Sequence, residues 1–256
     1  MTVHFDTDGP VAIVTIDRPE VANAVDGPTA AELAESFRRF DTEASLAVAV
    51  LTGAGGKFCA GADLQAMREE GMPRVVRVAP DGDGPLGPTR MILGKPVIAA
   101  VEGHAVAGGL ELALWCDLRV AAEDAVFGVY CRRWGIPLMD GGTVRLARLI
   151  GHSHALDMIL TGRGVRADEA FRIGLVNRLA APDEALHAAI ALGREIASFP
   201  QAAMRNDRLS SYEQWSLDVA DALAAEYRYG MATLGTGEMV GGLDRYASGD
   251  WRRGTF

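Results

Sequence analysis

His104–Asp117, HAVAGGLELALWCD, is the stretch whose reading decides the fold. Gly108 and Gly109 open what reads as a helix, and the helix then runs through Leu110, Leu112, Ala113, Leu114 and Trp115. One carboxylate, Glu111, stands in its first turn. An acid near a helix N-terminus is stabilised by the macrodipole, by about 0.3–1 kcal/mol. A second reading makes the carboxylate and the glycine amides parts of one catalytic site, and the rest of the chain decides between them.

Working outward, KPVIAAVEG before this helix reads as a buried strand, and LRVAAEDAVFG after it as a strand and turn. VAIVTI (Val11–Ile16) is a β-branched strand closed by a turn, and LAVAVLTG is a buried strand that breaks at Gly53. PTAAELAESFRRFDTEA has helical spacing, with Leu33, Phe37 and Phe40 on one face and Pro28 near its start. GGTVRLARLIG, HALDMILTG, RADEAFRIG and PDEALHAAIALGREIASFP read as helices. Strands alternating with helices imply an α/β core, placed at residues 1–198, and the helical sequence beyond it forms a second region, residues 199–256. The Pro- and Gly-rich stretch from Glu70 to Arg90 reads as a long loop facing substrate.

The 256 residues carry a net charge of −9, so the chain lacks the general basic footprint of a nucleic-acid binder. Cys59, Cys116 and Cys131 are odd in number and lack metal-ligand spacing, which fits a reduced cytoplasmic protein without a metal. No apolar run is long enough to span a bilayer, and the N-terminus lacks the pattern of a signal peptide.

TGAGGKFCAGADL invites a phosphate-loop reading and fails it, because Phe58 follows Lys57 where a P-loop needs Ser or Thr. Its small residues suit a backbone amide site, or equally a tight connection. Taken with VAGGLE, the two stretches can each supply one N–H to an oxyanion hole, where a preorganised donor is worth about 3 kcal/mol.

KFCAGADL together with HAVAGGLELALWCDLRVA resembles the crotonase, or enoyl-CoA hydratase/isomerase, superfamily. DRPEVANAV, KPVIAAVEG, FGVYCRRWGIPLMDGGTVRLARLIG and LTGRGVRADEAFRIGLVNRL extend the resemblance in order along most of the chain. It implies a spiral of ββα units with a C-terminal helical region that forms trimers or dimers of trimers, and an acyl-CoA thioester as substrate in fatty-acid or related metabolism. CoA would be part of the substrate, with no further cofactor. The resemblance implies Ala60 and Gly108 as oxyanion donors and Glu111 as the acid–base residue. It implies a CoA path along Val21, Ala22 and the segment Ala60, Gly61, Ala62, Asp63 and Leu64. Lys57 is a candidate phosphate contact or a solvated surface lysine, and Arg252 and Arg253 are candidate CoA contacts from a neighbouring subunit or a solvated tail.

The chain departs from the hydratases at their second glutamate, where an ungapped match holds Cys131. A thiol of ordinary pKa about 8.5 is a poor substitute for a carboxylate of about 4.3. Asp140, in PLMDGGT, matches the aspartate of the family's dienoyl-CoA isomerases, or else it caps the next helix, a task Thr143 can also perform. Isomerisation then fits better than efficient hydration, and a non-catalytic acyl-CoA-binding homologue is the alternative.

Overall fold

A computed structural model describes residues 1–71 and 76–249. These fall into two compact units, Met1–Arg194 and Glu195 onward. Residues 72–75 of the Pro/Gly-rich stretch, and Arg252 and Arg253, lie outside the described residues.

In the first unit the β-branched run forms β2 (Val11–Ile16), paired antiparallel with β1 (Val3–Asp8). The polar-flecked VHFDTD carries little strand signal of its own, so sequence patterning misses β1. β3 (Val48–Gly53) and β4 (Val97–Val101) follow in parallel, then β6 (Leu118–Ala122) and β9 (Arg178–Ala180), in the order β1-β2-β3-β4-β6-β9. β3 and β4 are continuous apolar runs, as expected of strands covered on both faces. A second, three-stranded sheet joins β5 (His104–Val106), β7 (Val126–Gly128) and β8 (Gly164–Arg166).

Each circuit of the chain places a strand in the first sheet, crosses to the second, and returns through a helix. β4 leads to β5 and then to α3 (Gly108–Trp115). β6 leads to β7 and, by way of a 3-10 turn at Tyr130–Trp134, to α4 (Gly142–Ile150). Earlier circuits contribute single bridges, Val25 to Ala62 and Cys59 to Ala105, before α1 (Gly27–Thr42) and α2 (Leu64–Glu70). This is the expected ββα spiral, with two of its crossings reduced to one bridged residue.

α1 starts at Asp26, whose side chain accepts the Thr29 N–H at 2.9 Å, with Pro28 in its first turn. Its buried face holds Leu33, Phe37 and Phe40, and Phe37 meets Trp115 of α3 edge-on at 4.7 Å. α5 (His152–Thr161), α6 (Ala167–Arg172) and α7 (Ala185–Ala197) match the helical patterns read from sequence.

The second unit is helical, with α8 (Gln201–Glu213), α9 (Val219–Leu234) and α10 (Glu238–Ser248). Val219, Leu223, Tyr227 and Met231 recur every fourth residue of α9 and are exposed. No helix among the described residues is long and apolar enough to cross a membrane.

Candidate active site

Where the spiral's crossings stack, backbone segments come unusually close. Gly61 has φ +96°, and a Cβ there would lie 2.6 Å from the Gly108 nitrogen. A Cβ on Gly109 would run into the Cys59 carbonyl. Both positions therefore require glycine, one for its conformation and both for space. Ala107 holds the turn into α3 at φ 52°, ψ −124°, a strained conformation for a residue with a side chain, and donates its N–H to the Gly128 carbonyl at 2.8 Å.

This close stacking decides which amides face the cavity. The Ala60 N–H donates to the Ala22 carbonyl at 3.0 Å, so the expectation that Ala60 supplies an oxyanion donor is corrected. Two residues on, the bridge to Val25 uses the Gly61 carbonyl and the Asp63 N–H and leaves the Ala62 N–H unused. The Gly108 N–H is the first of α3 and has no partner within its helix. Among the described residues neither the Ala62 nor the Gly108 amide has a hydrogen-bond acceptor. A Cβ on Gly108 would lie 3.5 Å from the Ala62 nitrogen, which makes the two amides neighbours.

Both residues line a cavity of about 500 Å³. Ala60, Val21, Asp63 and Leu64 also line it, as do Glu111, Cys131, Trp134 and Asp140. Of the other expected CoA contacts, Ala22 and Gly61 do not line the cavity. Lys57 is exposed and does not line the cavity, and its carbonyl accepts from the Asn23 side chain at 2.7 Å. Its expected phosphate contact has no support in the cavity lining. Asp63 is a structural anchor: it caps α2 through the Ala66 N–H at 3.0 Å and pairs with Arg18 at 3.0 Å.

Sequence reasoning passed over Asn23, which is fully buried with φ 55°. It accepts the Arg18 N–H at 2.9 Å and donates to the carbonyls of Ala54 and Lys57. It thereby fixes the turn that carries the Ala22 carbonyl. Its signal was the NAV of DRPEVANAV, which the resemblance covered without giving Asn23 a task.

Glu111 is 3% exposed. Its Oε1 accepts the N–H of Asp140 and the N–H of Gly142, each at 2.8 Å. Glu111 thus supplies the N-terminal cap of α4, whose own N-cap, Gly141, has no side chain. Neither Asp140 nor Thr143 caps that helix, which removes the capping reading of Asp140. Burial pushes the Glu111 carboxyl up to about 7, the nearby Asp140 charge adds to the rise, and the backbone N–H donors oppose it.

Asp140 is 4% exposed and beside Glu111. Its Oδ1 accepts the Leu86 N–H at 3.0 Å and a hydrogen bond from the Thr89 hydroxyl. Burial raises its pKa, and Thr89, Leu86, Arg90 and Arg145 oppose the rise. Cys131 is buried and also lines the cavity; burial, followed by the Glu111 charge, raises its thiol pKa. Cys59 and Cys116 are fully packed core thiols, with pKa values raised by burial. Trp134 is 68% exposed at the cavity wall.

A stacked ββα spiral, two open amides and a buried carboxylate on the helix behind them define the crotonase class of fold and site. The sequence profile of enoyl-CoA hydratase/isomerase matches residues 6–249, and the chain belongs to that family. It is 36% identical to a short-chain-enoyl-CoA hydratase of Clostridium acetobutylicum over 225 residues, covering 88% of this chain and 86% of that one. It is 42% identical to a carnitinyl-CoA dehydratase of Salmonella arizonae over 201 residues, covering 76% and 74%. The fold superposes on a crystal structure of an enoyl-CoA hydratase from Mycobacterium marinum with a TM-score of 0.90, at 36% identity and 96% coverage of both chains.

Proposed function

We propose that the protein acts on an enoyl-CoA thioester by moving a proton with Glu111 while the amides of Ala62 and Gly108 hold the thioester oxygen. One observation carries this reading: a buried carboxyl with a pKa raised to about 7 shares a cavity with two adjacent, unused N–H groups. A base poised near neutral pH is half-ionised where it works, which suits general acid–base catalysis. The amides would stabilise the enolate formed as the proton leaves carbon. Oε1 of Glu111 is held by two N–H donors, so Oε2 is the oxygen that exchanges the proton.

Among this family's reactions, isomerisation of a 3-enoyl to a 2-enoyl thioester is favoured. Glu111 takes a proton from C2, the electron pair passes into the thioester as a dienolate, and the proton returns at C4. Hydration needs a water held for attack at C3. Cys131 stands where a second carboxylate would help hold it, and Asp140 has one oxygen committed to Leu86 and Thr89. CoA enters with the substrate, and the reaction calls for no other cofactor. The exposed apolar stripe of α9 supports assembly of copies of this chain into a trimer or a dimer of trimers.

Parallel assays with crotonyl-CoA and a 3-enoyl-CoA, following the conjugated enoyl thioester absorbance, test this. A gain from the 3-enoyl substrate is expected, with slow loss from crotonyl-CoA. Rapid loss from crotonyl-CoA would replace isomerisation with hydration. Silence with both, alongside measurable acyl-CoA binding, would support the binding-protein alternative.

A further inference from the structure

Asp140 does more than face Glu111: it is tied to a loop some fifty residues earlier in the chain. Gly84 and Gly87 exchange backbone hydrogen bonds, each 2.9 Å, closing the tight turn Gly84–Gly87. Gly87 has φ +89°, and a Cβ there would strike the Ala30 carbonyl of α1, so the turn is seated against that helix. Gly84 has no side chain where the Thr89 hydroxyl and Asp140 Oδ1 meet; a Cβ there would lie 2.9 Å from that oxygen. The turn presents the Leu86 N–H and the Thr89 hydroxyl to one carboxylate oxygen, and Thr89 is 1% exposed. Arg145 of α4 braces the arrangement independently, donating to the Asp140 carbonyl at 2.8 Å and the Thr89 carbonyl at 2.7 Å.

We propose that Thr89 is a positioning residue for the reaction: its hydroxyl holds Asp140 as a buried carboxylate against Glu111, and so sets the proton affinity of the acid–base residue. This rests on the reading of Glu111 given above. The charged and titratable groups facing Asp140 are Glu111 of α3, Arg145 of α4 and Arg90 of the loop that carries Thr89, and Cys131 of the 3-10 turn faces Glu111. Both arginines favour its ionised form, as do the two hydrogen bonds to Oδ1. Without the hydroxyl, Asp140 takes up a proton more readily, Glu111 loses a neighbouring like charge, and its pKa falls.

The backbone braces do not involve the hydroxyl, so Thr89→Val removes one hydrogen bond while the Leu86 and Arg145 contacts remain. The test is a carboxyl ¹³C NMR titration of the full-length protein without ligand, with Glu111 assigned by the signal lost in Glu111→Gln. The expected result is a Glu111 midpoint lower in Thr89→Val than in the parent, and restored in Thr89→Ser. An unmoved midpoint in Thr89→Val, or a Thr89→Ser midpoint as low as that of Thr89→Val, overturns the proposal. If the valine variant does not fold, Thr89→Ala is held to the same outcomes. Acyl-CoA turnover is measured separately on the same samples. A shifted midpoint without turnover in the parent removes the enzymatic reading and leaves the Thr89 link. Turnover with an unmoved midpoint removes the link alone.

Discussion

Replacing Glu111 by glutamine should stabilise the fold, far more at alkaline pH than at acid pH. The carboxyl sits at about 7 in the folded protein against 4.5 for an unperturbed glutamate, chiefly through burial. At about 1.4 kcal/mol per tenfold change in proton affinity, this corresponds to about 3 kcal/mol. The sign follows from linkage. A raised folded pKa means that the native state binds the proton more tightly, so this contribution to stability is complete below pH 4.5 and is lost as pH rises through 7. Glutamine stays neutral, and its side-chain oxygen can still accept the Asp140 and Gly142 N–H groups, so it escapes the loss. Urea unfolding of both proteins at pH 5 and pH 8.5 measures the difference. The expected advantage of Glu111→Gln is about 3 kcal/mol at pH 8.5 and about 1 kcal/mol at pH 5. An equal difference at both pH values would refute the reasoning, because it would mean that the glutamate carries no pH-dependent desolvation cost.

Gly61→Ala places a methyl 2.6 Å from the Gly108 nitrogen at φ +96°, and kcat should drop about 100-fold, the scale of losing one oxyanion donor, in a protein whose circular dichroism is unchanged. Cys131→Glu adds a carboxylate beside Glu111, and crotonyl-CoA hydration, followed by absorbance, should rise by about tenfold or more. Asn23→Ala removes the buried amide that bonds the Ala54 and Lys57 carbonyls and the Arg18 N–H, and should cost about 2–3 kcal/mol in thermal or urea unfolding.

Glu111 is legible as a lone carboxylate in the first turn of an apolar helix, while its acid–base role is what the family resemblance implies. The three apolar positions of α1, and the strands β2, β3 and β4, were equally plain from their periods. The Ala60 expectation fails for a physical reason: its N–H is already spent on the Ala22 carbonyl. Ala60 and Ala62 are the same residue type and flank the same glycine, so patterning alone does not separate them. Only the folded structure reveals that the Ala22 carbonyl takes the Ala60 N–H and that the Ala62 N–H has no acceptor among the described residues. Thr89 was hidden differently. GPLGPTR announces a turn, but the oxygen that the turn serves lies on Asp140, brought there by the stacking of successive circuits of the spiral. Capping is one of the two readings of Asp140 in the sequence, because it precedes a helix. Glu111, far away in sequence, occupies that helix's first N–H groups instead.

The central claim is that Glu111 moves the proton while other groups bind the thioester. The most direct measurement pairs acyl-CoA affinity, by calorimetry, with turnover of a 3-enoyl-CoA for the parent protein and Glu111→Gln. The account predicts affinity within a few-fold and turnover lower by about 10²–10⁴. Undiminished turnover in Glu111→Gln would contradict it.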